Sequence, residues 1–599
     1  MPATPAEIIT SASMTKEPVL PIEAKDLSKY FTRDKKPIAA LDAISLRITP
    51  GQITGLIGPD GAGKTTFMRL CAGLLTPQSG SLRVLGIDVN ADPLQVQEQI
   101  GYMPQRFGLY EDLTVQENMD LFADLQGVEK KKRPAQYQRL LDMSGMAPFR
   151  SRPAGKLSGG MKQKLGLMCT LIRSPRLLLL DEPTVGVDPV SRRELWQIVY
   201  QLVEEQKISV LLSTAYLDEA ERCTEVALIH QGKLLAHEPP AWFSNKMTGR
   251  AWRVHSTSLS NRKLQQLLSV MPGVLDALVL GSSVRVVTKQ GSPLNTSDIP
   301  GSGEKTVAPV PARFEDYFIA TLKEQDGGAA AAKAIELGKN QRGLANRPDE
   351  VILADSLVRR FGSFVAVDRV SFRVNSGEIF GLLGANGAGK TTTFRMLCGL
   401  LPISSGSCTV AGVNLRSAAS AARKKISYMA QRFSLYGTLT VLHNLRFFSS
   451  AYGLKGQKRR QQIQWALDTF ELTPFARIES RTIPLGFKQR LALAVALMHS
   501  PDVLFLDEPT SGVDPLARRE FWTQINRLAE QGVTVLVTTH FMEEAEYCDR
   551  IAIMAEGKIL AEGSPEEIKQ EQGDGKEITM EEAFIHLLQS HDKKEEQAL

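Results

Sequence analysis

Short runs apolar on both faces punctuate the chain and read as strands covered from two sides, as in a parallel sheet under helices. QITGLIG (52–58) and EIFGLLG (378–384) lead directly into glycine-rich loops, and LLLL (177–180) and VLFL (503–506) each end in Asp-Glu-Pro. Between loop and second strand lies a long, mostly helical stretch, so each half predicts an α/β core of parallel strands with a helical subdomain inserted. Residues 246–326 mix helical spacing (NRKLQQLLSVM) with strand-like alternation (SSVRVVTKQ) and close on FEDYFIATL, a segment resembling MEEAFIHLL near the end of the chain. No apolar run approaches the length that spans a bilayer.

The pattern is a tandem repeat. GPDGAGKTT (58–66) returns as GANGAGKTT (384–392), 326 residues on, and Gln105/Gln431, Lys162/Lys488, Asp181/Asp507 and Asp188/Asp514 keep that displacement. It slips by one after Trp196 and Trp522. The expected organisation is a disordered tail (1–21), a first cassette (22–245), a small α/β accessory domain (246–326), a linker (327–349), a second cassette (350–568), and a terminal helix with polar tail (569–599).

G-x-x-x-x-G-K-T between a strand and a helix is a phosphate-binding loop, in which backbone N–H groups turn inward and the helix N-terminus adds positive potential. Gly58, Asp60, Gly61, Gly63, Lys64, Thr65 and Thr66 form the first such loop, and Gly384, Asn386, Gly387, Gly389, Lys390, Thr391 and Thr392 the second. Lys64 and Lys390 are expected on the β- and γ-phosphates of ATP, and Thr65 and Thr391 on Mg²⁺. Asp181 and Asp507 end their strands where they would complete the Mg²⁺ shell. Glu182 and Glu508 follow, positioned to take a proton from attacking water.

Composition changes this picture little. A net charge of +5 over 599 residues is too small to argue for nucleic acid as the main partner. The N-terminus has no charged leader followed by an apolar core and does not read as a secretory signal. Six cysteines without metal spacing sit in apolar or helical runs, as reduced core thiols of a cytosolic protein would.

The phosphate loop, the glutamine of YMPQRF and YMAQRF, LSGG, DEP and a later GVDP together resemble ATP-binding-cassette ATPases over nearly all of the chain except 1–21 and 246–349. The resemblance implies two cassettes facing head to tail as a pseudo-dimer within one chain, each ATP held between one phosphate loop and the opposite signature. It also implies that Gln105 and Gln431 join the Mg²⁺ site, sense the γ-phosphate and relay to a membrane partner. Phe31 and Phe361 would stack on adenine.

Two departures stand out. The signature Ser158-Gly159-Gly160 of KLSGGMKQK is replaced in TIPLGFKQR by Pro484-Leu485-Gly486. Proline supplies neither hydroxyl nor N–H, and leucine adds bulk where backbone should approach, leaving Gly486 and the helix dipole. The family's switch histidine is His540 in the second copy, but Ala215 in the first. Under head-to-tail pairing, both departures fall in the site built on Lys64. The site of Lys390, Thr391, Gln431, Asp507, Glu508 and His540 draws on the intact Ser158-Gly159-Gly160 and is complete. The expectation is one degenerate and one working ATP site.

The layout is similar to fused double-cassette ATPases of bacterial drug-efflux systems. It implies two integral-membrane permease subunits, an accompanying membrane-fusion adaptor, and a place on the cytoplasmic face of the inner membrane. A fused sugar-type importer ATPase and a soluble cassette ATPase acting on ribosomes are the alternatives. The accessory domain carries no legible role.

Overall fold

The structure, a computed structural model, describes residues 19–33, 36–105, 107–300, 303–325, 349–415, 425–431, 435–573, 576 and 578–598. Residues 1–18 of the expected tail and 327–348 of the expected linker lie outside the described residues.

In the first half a six-stranded sheet runs in the order Lys233–Glu238, Glu225–His230, Ile53–Ile57, Ser209–Thr214, Leu177–Asp181, Ile100–Met103. All neighbours are parallel except the edge strand Lys233–Glu238, which pairs antiparallel with Glu225–His230. The second half repeats this topology with Ile379–Gly384 between Thr534–Thr539 and Arg550–Ala555. The strands Ile53–Ile57, Leu177–Asp181, Ile379–Gly384 and Val503–Asp507 are buried at every position, which is why they read as continuous apolar runs.

Each half also carries an antiparallel four-stranded sheet that the sequence reading did not separate from the parallel core. In the first it comprises Lys36–Ile48, Ile22–Arg33, Ser79–Val84 and Ile87–Asp88. Register shifts along Ile22–Arg33 break its alternation, and with it the period-2 signal. The inserted helices are Val115–Leu125, Arg133–Ser144 and Gly159–Leu171, matched by Val441–Ala451, Gly456–Thr469 and Leu485–Leu497. Thr114 and Glu117 close a capping box at the first of these.

Between the halves, Val274–Leu280, Ser283–Thr288, Ala251–Ser256 and Lys305–Pro309 form an antiparallel sheet, and the helix Asn261–Ser269 packs Leu264 and Leu268 on it in one cluster with Val254, Val284 and Val286. This unit docks on the second cassette. Arg519 pairs with Asp276 and lies 2.6 Å from Glu315, Asn526 donates to Gln265 Oε1 at 3.1 Å, and the Gly281 N–H donates to the Glu546 carbonyl at 3.1 Å. The helix Phe314–Gln325, expected as part of that unit, instead feeds Phe314, Phe318, Ile319 and Leu322 into the first cassette's core beside Phe243. Its apolar residues at four-residue spacing make one stripe, and that stripe finds the cassette. Met580–Ala598 does the same for the second cassette through Phe584, while Glu581 reaches across to Arg192 of the first at 2.7 Å.

Candidate functional site

Each phosphate loop turns through left-handed glycines between a buried strand and the helices Lys64–Cys71 and Lys390–Leu397. At Gly63, with φ of 108°, a Cβ would lie 2.3 Å from the Ala40 carbonyl oxygen, so only glycine lets the loop pass the neighbouring strand. The Lys64 ammonium is buried and donates to the carbonyls of Gly58 (2.7 Å) and Pro59 (3.1 Å); Lys390 repeats this with Gly384 (2.7 Å) and Ala385 (2.9 Å).

Around each lysine the same acids gather. Thr65 Oγ1 lies 3.2 Å from Asp181 Oδ1, and Thr391 Oγ1 lies 3.5 Å from Asp507 Oδ1. Asp181 Oδ2 is buried and among the described residues accepts no hydrogen bond, an oxygen with a lone pair to give beside a hydroxyl. Gln105 donates to Glu182, and Gln431 Nε2 donates to Glu508 Oε2 at 2.6 Å. Glu182 and Glu508 adopt left-handed backbone with φ of 52° and 45°. The Glu182 N–H is held by Ser213 Oγ at 3.0 Å and that of Glu508 by Thr538 Oγ1 at 3.1 Å.

The two glutamates differ in what faces them. His540 Nδ1 stands 3.1 Å from Glu508 Oε2, whereas buried Ala215 occupies the equivalent place in the first cassette. Burial pushes the Glu508 carboxyl up, but His540, Lys390 and Gln431 outweigh it and leave the group below its ordinary range. Burial also raises Glu182; Asp181 adds to it, and Lys64 and Gln105 do not cancel the rise.

The cassettes meet head to tail. Asn386 Nδ2 donates to the carbonyl of Gly186, just before Asp188, at 3.3 Å. A Cβ built on Gly159 would lie 3.6 Å from that same Asn386 nitrogen and 3.3 Å from the Gly186 oxygen. The Lys390 loop therefore sits against the Ser158-Gly159-Gly160 end of the opposite cassette. Ser158 caps its helix by accepting from the Met161 N–H at 3.2 Å, while Pro484 at the matching end makes no side-chain cap. Leu485 lies beside Gly512 and is half-buried; Gly486 packs toward Ala517.

Phe31 and Phe361 are 45% and 47% exposed at the tips of their hairpins, so neither is a core residue. Lys29 and Arg359 lie over their rings at 5.5 and 4.6 Å.

Sequence reading passed over a second layer. Tyr216 and Phe541, which follow the switch positions, meet across the seam as tilted rings with centres 5.3 Å apart, and Arg518 lies over each ring. Buried Glu219 accepts from Thr184, Trp196 and Thr214, and buried Glu544 from Thr510 and Thr539. These groups fix the loops carrying Ala215 and His540. The recurrence of the threonine and the glutamate in STAYLDEA and TTHFMEEA was the available signal.

A family model described as ABC transporter matches residues 41–185 and 367–511. Over 578 residues the chain is 50% identical to the probable multidrug ABC transporter ATP-binding protein YbhF of Escherichia coli (strain K12), covering 96% of this chain and 98% of that protein. The linearmycin resistance ATP-binding protein LnrL of Bacillus subtilis (strain 168) is 39% identical over 215 residues, 36% of this chain and 69% of its own length. Among solved structures, an ATP-binding subunit of an ABC transporter is 27% identical at a TM-score of 0.37, covering 40% of this chain and 99% of that one.

Proposed function

The chain belongs to the family of ABC transporter ATP-binding proteins, and on that premise we propose that its ATP hydrolysis drives export of drug-like compounds through two separate membrane permeases. Among the described residues no helix is long and apolar enough to cross a membrane, so the conduit is supplied by other subunits. They would dock over the exposed Tyr110 and Tyr436, each five residues beyond the glutamine, with a membrane-fusion adaptor completing the assembly. The chain would then lie on the cytoplasmic face of the inner membrane.

Within this reading the two ATP sites do unequal work. At the Lys390 site, Lys390 and the loop amides bind the phosphates, Ser158 and Gly159 of the opposite cassette close over them, and Phe361 stacks on adenine. Thr391, Asp507 and Gln431 would hold Mg²⁺, which when bound neutralises phosphate charge. Glu508 is ionised and takes the proton of attacking water, and His540 positions it against the γ-phosphate. At the Lys64 site, Phe31, Thr65, Asp181, Gln105 and Glu182 remain, and the orphan oxygen of Asp181 suits the same ion. That site faces Pro484 and Leu485 and carries Ala215, so it retains ATP rather than turning it over. Loss of one positioned donor lowers turnover by about 10²–10³.

The observation that supports this division is the Asn386–Gly186 contact beside Gly159, on the loop that carries Lys390. Steady-state ATPase activity of the permease complex tests it. Glu508→Gln is expected to remove nearly all hydrolysis and Glu182→Gln to change it modestly; equal losses would refute the assignment.

A further inference from the structure

The two seams of the cassette pair differ at a position that neither the signature nor the switch accounts for. Asn386 is the third residue of its phosphate loop, half-buried, and its amide bridges to the Gly186 carbonyl opposite. By the 326-residue displacement, its counterpart is Asp60 and the counterpart of Gly186 is Gly512. A carboxylate has no proton to donate to a carbonyl. Asp60 is solvent-exposed where Asn386 is half-covered, and the described side chains offer it no hydrogen bond of the Asn386 kind. The charges around it are unfavourable: Asp514 of the opposite cassette and Glu182 of its own both repel a carboxylate there, against the attraction of Lys64. Asn386 is uncharged, and it is Lys390 that feels the opposite Asp188, an attraction.

We propose that Asp60 is a positioning residue that makes the Lys64 seam the looser of the two, because a carboxylate stands where Asn386 ties the Lys390 seam shut. This rests on the reading above, in which the Lys64 site retains ATP, and deepens it by naming the residue that sets how firmly. ATP at Lys64 is then held by its own loop more than by the opposite cassette.

Asp60 keeps some contact with solvent, yet partial desolvation, then Asp514 and Glu182, push its carboxyl up to about 6. Part of that rise comes from Asp514 across the seam, a charge Asp60 faces when the seam is closed. Closure is therefore favoured as pH falls through about 6 and opposed by the full charge above it.

The test uses the full chain with Glu508→Gln to halt hydrolysis at Lys390, loaded with radiolabelled ATP and chased with unlabelled ATP. Two ATP retained per chain are expected. Adding Asp60→Asn should slow release from the Lys64 site about three- to tenfold, the scale of one hydrogen bond and a removed repulsion. The gap between chains with and without the Asp60→Asn change should be wide at pH 8 and narrow at pH 5.5, which a merely structural effect would not produce. Asn386→Asp should speed release from the Lys390 site. One ATP per chain would overturn the retaining reading itself; two ATP with equal release for Asp60→Asn at pH 8, or a gap independent of pH, would overturn the role of Asp60 alone.

Discussion

Glu182 and Glu508 share a left-handed backbone that costs a non-glycine residue about 1–3 kcal/mol. Both cassettes keep that geometry, so the difference between them lies in what surrounds the carboxylate. His540, Lys390 and Gln431 hold Glu508 ionised, and Glu182 has no imidazole. Repair should therefore need partners rather than a new base. In a Glu508→Gln chain, Ala215→His combined with Pro484→Ser and Leu485→Gly is expected to raise residual ATP turnover by at least about tenfold. Ala215→His alone should do much less, since donors acting as a unit are not additive; phosphate release measures both. The lesions themselves were legible, because aligned stretches expose a missing histidine or serine. Asp60 was visible only as a loop letter, since what matters is the carbonyl it faces from another domain.

At the scale of elements, buried strands and phosphate loops were readable because their apolar runs and glycine spacing carry the signal directly. The antiparallel sheets were less so, since the bulged Ile22–Arg33 loses its alternation. The helix Phe314–Gln325 shows the limit best. Its stripe announced an amphipathic helix but not its host, and the likeness of FEDYFIATL to MEEAFIHLL was the clue that each closes its own cassette. Phe314 is fully buried against Phe243 and Phe318. Phe314→Ala should destabilise the first cassette by about 3–5 kcal/mol, read as earlier denaturant unfolding there while the second cassette's transition barely moves.

For the whole molecule, the accessory unit is a bridge: it is bonded by chain to the first cassette and by side chains to the second. Arg519 is buried between Asp276 and Glu315, and Asp276 also holds Lys323 at 2.7 Å. Arg519→Met removes the buried cation between Asp276 and Glu315, and breaking such a buried pair costs about 3–5 kcal/mol. The expected readout is faster amide exchange along Val274–Leu280, with the cassette cores protected as before. Sequence could not foresee this docking, because the acids and the arginine lie some 200 residues or more apart and neither Asp276 nor Arg519 belongs to a motif.

Fusion has a consequence for inheritance. When a motor is assembled from two identical polypeptides, any substitution appears twice, so a damaged signature would cripple each nucleotide equally. Here Gly159 can meet Asn386 and no second Asn386 exists, which lets one half drift while its sister keeps the chemistry intact.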